Sequence, residues 1–335
     1  VYIAGFTSGP LGGETYGGRG DYFIARYLSD GTRQWVRLDG TDAATTAHGV
    51  CCDDAGNVYV VGDTDGALHG ATALGGNDVF IARYSSDGTR EWTVACGSST
   101  NDWGAGIACR NGTLAIAGTT CDATGLTELN YFAAVVTTGG VTQTTVVGGS
   151  HADDYAAGVG LDTTGHMYLS GYSYGGYQGT FEGQTNKGVT DVYIVKYTVA
   201  GARQWTRMLG TLQGDYARGI AVDMSGYSCV AGFSYGDFGG QANAGMSDAF
   251  TLLMSPEGVM VSSDLRGSAD VDCAEAIAYT PDAGKVLVAG ESDGAFDGAS
   301  NRGAFDAFLL EYSIPEPTCI AGAACLAAVL RRRFR

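Results

Sequence analysis

The chain has 335 residues, 45% of them hydrophobic, with 54 glycines and only 5 prolines. That apolar content excludes a disordered chain, and the length suffices for a substantial core or for several repeats. The formal net charge is -17, and four of the 19 basic residues crowd into the last five positions. No basic footprint therefore exists for the phosphates of a nucleic acid.

The first element, Val1-Tyr2-Ile3-Ala4-Gly5, opens the chain inside a strand, without methionine or secretion signal, so the sequence reads as a fragment or a processed chain. The element returns as Val58–Gly62 and Met167–Gly171, and more loosely at Leu114–Gly118, Ser228–Gly232 and Val286–Gly290. The closing glycines lie 53 to 61 residues apart. A fixed period of this kind sets the architecture, and a motif found in every repeat belongs to the scaffold.

The repeat that starts at Gly49 predicts four strands. Gly49–Asp53 is strand a, Val58–Gly62 strand b, Asp78–Tyr84 strand c and Arg90–Val94 strand d. Asp54–Asn57 and Ser85–Gly88 are turns whose glycines are free to take positive φ. Strands b and c are apolar at consecutive positions, as in sheets buried on both faces. Small residues in strand a, such as Gly106, Ala108, Gly158 and Gly160, suit a crowded inner strand. Four antiparallel strands per roughly 57 residues is the size of a propeller blade. The predicted fold is all-β, a β-propeller over residues 1–312, with a linear β-solenoid as the competitor. The chain holds about six blades, opening at strand b and stopping at strand c. One further upstream blade, making seven, is the favoured account of the incomplete count. A tail over 313–335 is predicted to contain a short apolar helix.

The run Asp215–Asp223, followed by Gly226, Val230-Ala231-Gly232 and Asp248-Ala249-Phe250, resembles the bacterial seven-bladed β-propeller repeat family, the SBBP repeats. Asp154–Gly158 with Gly165–Gly171 does so too. The resemblance covers residues 1 to about 312 and implies a mostly extracytoplasmic family with no set activity. The tail resembles a PEP-CTERM sorting signal: Pro315-Glu316-Pro317, the apolar run Thr318–Leu330, then Arg331, Arg332 and Arg333 with Arg335. Arginines after an apolar segment stay on the cytoplasmic side of a membrane. Thirteen helical residues reach only about 20 Å, short of a ~30 Å hydrocarbon core, which fits a transient anchor. The resemblance implies an exosortase-type membrane enzyme as partner, cleavage near Pro315–Pro317, and passage from the inner membrane to the cell surface or matrix. A plain C-terminal anchor is the other reading.

Candidate chemistry is sparse. Gly171–Gly175, Gly232–Gly236 and Gly290–Gly294 each match G-x-S-x-G, but a nucleophile elbow occurs once, between strand and helix, so repetition marks structure. His48, His69, His151 and His166 fall at four different repeat positions; His151 lies near Asp153 and Asp154. Aspartates recur at the start of strand c (Asp21, Asp78, Asp191, Asp248, Asp306) and before strand a (Asp102, Asp154, Asp215, Asp272). Carboxylates that accept loop N–H bonds explain this recurrence. The oxygen-rich Asp63-Thr64-Asp65-Gly66 and Asp293 with Asp297 are candidates for Ca²⁺, without a full EF-hand loop. Trp35, Trp92 and Trp205 each follow a glycine by four residues. Their spacing resembles the tryptophan docking of quinoprotein propellers, but inter-blade packing accounts for it. Arg19-Gly20-Asp21 spells an adhesion tripeptide, although Asp21 is the repeat's own aspartate. Nine cysteines show no C-x-x-C; Cys52 and Cys109 take a position filled elsewhere by Leu161 and Val222, which predicts core packing.

Two functions remain. The first is an exported surface or matrix protein that binds a polysaccharide or another surface protein and needs no cofactor. Its candidate ligand face is Tyr174, Tyr177, Tyr235 and Phe238, near Tyr172, Phe181 and Phe233. The second is an extracytoplasmic propeller enzyme, a polysaccharide lyase, a glycosidase or a quinoprotein. An enzyme should break the repeat at its site; the departures His151, Arg218 and Glu275 look scattered.

Overall fold

The structure, a computed structural model, describes residues 1–121, 128–175, 178–280 and 284–314, and the backbone of Ala327–Ala328. Among these residues no α-helix occurs, and every regular element is a strand or a short 3-10 turn.

The first sheet has three strands, β1 (Tyr2–Thr7), β2 (Asp21–Tyr27) and β3 (Arg33–Asp39). The second is β4 (Thr45–Cys52), β5 (Val58–Thr64), β6 (Asp78–Tyr84) and β7 (Arg90–Cys96). The third is β8 (Asp102–Arg110), β9 (Thr113–Thr120), β10 (Asn130–Thr137) and β11 (Thr142–Gly148). The fourth contains β12 (Asp154–Leu161), β13 (His166–Ser173), β16 (Asp191–Thr198) and β17 (Arg203–Leu209); a small hairpin, β14 (Thr180–Phe181) with β15 (Gln184–Thr185), sits in its b–c loop. The fifth is β18 (Asp215–Val222), β19 (Ser228–Ser234), β20 (Asp248–Met254) and β21 (Met260–Arg266). The sixth is β22 (Asp272–Thr280), β23 (Lys285–Ser292), β24 (Asp306–Ser313) and β25 (Ala327–Ala328). Each is an antiparallel meander, b-c-d in the first sheet and a-b-c-d in the others, the form of a propeller blade.

The chain divides into two compact units, and the boundary falls inside β12. In the first unit β4 packs on β1 and β2, and β8 packs on β4, β5 and β6. In the second unit β18 packs on β13 and β16, and β22 packs on β18, β19 and β20. Within each unit, strand a of one blade thus covers the face of the blade before it. Coils of a solenoid would instead continue one hydrogen-bonded sheet from repeat to repeat. Here the sheets end at three or four strands and meet through side chains, as in the predicted propeller.

The repeat's signature glycine has a steric cause. Gly62 stands opposite Phe80, Gly118 opposite Phe132, Gly232 opposite Phe250 and Gly290 opposite Phe308. The strand-c ring lies across the glycine, so a Cβ at Gly118 would overlap both Phe132 and the Trp103 carbonyl oxygen. The aspartates that recur tie each loop to its strand. The N–H four residues earlier donates to the carboxylate in Asp21 (Gly17, 2.5 Å), Asp78 (Leu74, 2.8 Å), Asp215 (Thr211, 2.6 Å), Asp248 (Ala244, 2.6 Å) and Asp306 (Arg302, 2.7 Å).

Two expectations need correction, and a third is not tested. Cys52 is exposed, whereas Val222 is buried and points at Gly160 of the preceding inner strand. Cys52 belongs to the blade that follows the three-stranded first sheet, where no strand corresponding to β12 is described. Strand a also starts about four residues earlier than predicted, because an extra residue bulges out and breaks the small-residue pattern. Finally, the expected apolar helix lies outside the described residues except at Ala327–Ala328, which is strand and pairs with Tyr312 and Glu311 on the open edge of β24.

Candidate functional site

The fourth and fifth blades carry a cluster of aromatic rings at the ends of their b strands. Tyr216, the second residue of β18, is the centre. Its ring lies 5.1 Å from Tyr172, 6.2 Å from Tyr174, 6.2 Å from Tyr235 and 5.0 Å from Phe233, the last in a stacked geometry. Edge-to-face pairs close the cluster, Tyr172 with Tyr174 at 5.9 Å and Phe233 with Tyr235 at 5.7 Å. Such contacts fix ring orientation. Tyr174 and Tyr235 remain 43% and 48% exposed, so two rings held from behind offer faces to solvent. The Arg218 guanidinium lies 5.1 Å over Phe233, and its Nε is 3.6 Å from a Glu275 carboxylate oxygen.

Backbone bulges aim the two charged residues. Ala217 pairs with Gly232 and Gly219 with Ala231, which leaves Arg218 as the extra residue. Ala274 pairs with Gly290 and Ala276 with Ala289, which leaves Glu275. His48 is the corresponding extra residue of β4, and its Nε2 is 2.6 Å from Asp63 Oδ1. Arg218 and Glu275 are therefore one structural position in two blades, not scattered departures. The readable signal is a polar residue between two small ones: Ala47-His48-Gly49, Ala217-Arg218-Gly219 and Ala274-Glu275-Ala276. Tyr216 escaped notice because Asp215-Tyr216 repeats Asp154-Tyr155 and so looks like scaffold.

Of the predicted ligand face, Tyr174 and Tyr235 come together, while Phe238 does not join them. It is buried and stacks on Phe250 with centroids 4.5 Å apart. Phe296 on Phe308 (4.3 Å) and Phe181 on Tyr193 (4.5 Å) repeat that arrangement, which makes it a loop plug. Tyr177 lies outside the described residues, as do Pro315, Glu316, Pro317, Arg331, Arg332 and Arg333.

The other candidates resolve into structure. Ser173, Ser234 and Ser292 are buried; Ser234 donates to Gly236 O at 3.0 Å and Ser292 to Gly294 O at 3.1 Å. Trp35 donates to Ser86 O (3.1 Å) and Trp205 to Pro256 O (3.0 Å), each ring covering the hairpin glycine of the next blade, Gly88 or Gly258. Asp65 accepts from the Ala44 N–H (2.7 Å) and pairs with Arg19 (3.0 Å), so the adhesion tripeptide's arginine is engaged. Asp297 pairs with Arg266 at 3.0 Å, and the Asp293 N–H donates to Val271 O at 2.9 Å. Among the described residues no group of three or more His, Cys, Asp or Glu is arranged to hold a metal ion. Burial, with Asp215 nearby, raises the Asp191 carboxyl to about 6, and Asp215 and Asp248 are raised by the same desolvation.

The described fold defines a repeat protein built of β-propeller blades. A family model described as a beta-propeller repeat, SBBP, matches residues 34–68, which span the end of the first blade and strands a and b of the second. No curated protein matches the chain. Among solved structures, a protein of unknown function from Bacteroides caccae is 10% identical over 91% of this chain and 89% of that one, with a TM-score of 0.49. A subtype N10 neuraminidase-like protein of a bat influenza A virus is 8% identical over 81% and 82%, with a TM-score of 0.45. A GH43 β-xylosidase/α-arabinofuranosidase from a compost microbial metagenome is 11% identical over 85% and 94%, with a TM-score of 0.43. At these identities the likenesses assign no activity.

Proposed function

We propose that this chain is an exported carbohydrate-binding scaffold of the cell surface or extracellular matrix. The observation that carries the reading is the Tyr172–Tyr174–Tyr216–Tyr235 cluster, in which two exposed rings are braced by half-buried ones at a place where the repeat is broken. Rigid, amphipathic tyrosines present a flat apolar face to a pyranose ring and a hydroxyl to its edge. Arg218 and Glu275 beside them supply a donor and an acceptor for sugar hydroxyls. The acidic surface favours a neutral glycan over a polyanionic one. In this reading the tail from Pro315 is processed by an exosortase-type membrane enzyme after transient membrane contact, and no cofactor or Ca²⁺ is needed for binding.

A lyase, glycosidase or quinoprotein role has less support. The G-x-S-x-G serines are buried, and the recurrent aspartates are engaged by loop N–H groups. A glycan array probed with the purified chain tests the proposal. Selective binding to neutral oligosaccharides is expected, and an array without binding would overturn it. Mass spectrometry of the protein from cell-surface fractions tests the tail. A C-terminus near Pro315–Pro317 is expected, and an intact Arg335 there contradicts processing.

A further inference from the structure

The register exposes a column of side chains that crosses three strands of each blade. In the first blade Tyr2 pairs with Arg26 and Arg26 with Trp35; in the second the column is Tyr59, Arg83, Trp92; in the fourth it is Tyr168, Lys196, Trp205. These residues form a sandwich. The Tyr–Trp centroids lie 5.9, 6.1 and 6.0 Å apart, and the cation sits 5.9, 5.8 or 4.9 Å over the tyrosine. Beside it, Arg37 and Arg207 lie 5.6 Å over Trp35 and Trp205.

In the fifth blade the same column reads Cys229, Leu253, Ser262, and Asp264 stands where Arg37 and Arg207 stand. Two aromatic rings and two cations are absent at once, and a carboxylate has been added. The third and sixth blades also lack the sandwich: the third reads Ala115, Val135, Thr144, without an acid, and the sixth Leu287, Glu311, Ala328, where Glu311 is paired with Lys285.

The space vacated in the fifth blade is a cavity of about 180 Å³ whose border includes Cys229, Leu253, Ser262, Asp264, Arg266 and Tyr312. An apolar cavity of about 150 Å³ holds benzene; this one, slightly larger and open on one side, takes an aromatic ring and leaves part of a larger ligand at its mouth. It is far below the range for larger ligands. Its polar side holds the Asp264 carboxylate and the Arg266 guanidinium. Asp264 accepts from the Tyr312 hydroxyl at 3.0 Å and pairs with Arg266 at 2.5 Å, while Arg266 also serves Asp297 at 3.0 Å. Two carboxylates thus share one guanidinium, so Arg266 only partly neutralises Asp264.

We infer that this cavity is a binding site for a small aromatic amine. The ligand's ring takes the place of the missing Tyr–Trp pair, and its ammonium group takes the place of the missing cation beside Asp264. A buried apolar wall selects the ring, and the carboxylate selects the charge.

Calorimetry with tryptamine, indole and indole-3-acetate at neutral pH tests this. Saturable tryptamine binding is expected, with indole-3-acetate at least tenfold weaker. Cys229→Tyr/Ser262→Trp restores the repeat's own filling and should abolish binding while raising the thermal midpoint. Should that pair fail to fold, Ser262→Trp alone gives the same reading on binding. Asp264→Asn should weaken tryptamine at least fivefold and leave indole unchanged. Absence of saturable tryptamine binding, equal binding of the acetate, or undiminished binding by the refilled variant would each overturn the inference.

Discussion

Gly118 shows how much a single missing methyl group decides. The Phe132 ring and the Trp103 carbonyl oxygen occupy the space a side chain would need. The carbonyl belongs to a hydrogen-bonded strand and cannot yield. Gly118→Ala is therefore expected to cost about 2 kcal/mol or more, read as a lowered denaturant midpoint. Asp191 is the second case. Burial raises its carboxyl to about 6, so the folded chain holds this proton more tightly than the unfolded one. Its contribution to stability is complete below pH ~4 and is lost as pH rises through 6. Asp53 and Asp162 are shifted downward by the hydrogen bonds they accept and act only at lower pH. Between pH 4 and 6 the unfolding free energy should thus fall with rising pH, by at most about 3 kcal/mol from this group. Asn130 fills the same position in the third blade, so Asp191→Asn should fold and show a shallower slope. Identical slopes in the two proteins would contradict the assignment.

At the scale of the element, the blades are joined by side chains that reach over the next hairpin. Trp205 covers Gly258 and donates to Pro256 O. Its indole is part-exposed, so Trp205→Ala should cost about 2–3 kcal/mol, less than for a fully buried tryptophan. Ser262→Ala, at the equivalent place in the fifth blade, should stay within about 0.5 kcal/mol. Equal losses in chemical denaturation would refute the packing role of the tryptophan. The strands themselves were legible in the sequence, since closing glycines, turn glycines and strand-c aspartates recur at fixed offsets. The bulge in strand a was not, because a polar residue between small ones, as in Ala217-Arg218-Gly219, also reads as an ordinary alternation. For that reason Arg218 and Glu275 looked unrelated until the pairing put them in one position. Phe238 misled for the opposite reason: an aromatic in a glycine-rich loop reads as exposed, and only its stacking on Phe250 reveals a plug.

For the whole molecule, recurrence and departure carry different information. Recurrent residues build six blades; departures from the pattern mark the tyrosine cluster and the cavity beside Asp264. The likeness to the SBBP repeat was visible from Asp215–Asp223 onward, yet the family model matches only 34–68. The central claim is that binding resides where the repeat breaks. Isothermal titration of an array-identified oligosaccharide into three proteins tests it: wild type, Tyr174→Ala/Tyr235→Ala, and Phe238→Leu, which alters a scaffold plug. At least a tenfold loss of affinity is expected in the double variant at an unchanged thermal midpoint, and wild-type affinity in Phe238→Leu. Wild-type affinity in the double variant, or an equal loss in both, would contradict that claim.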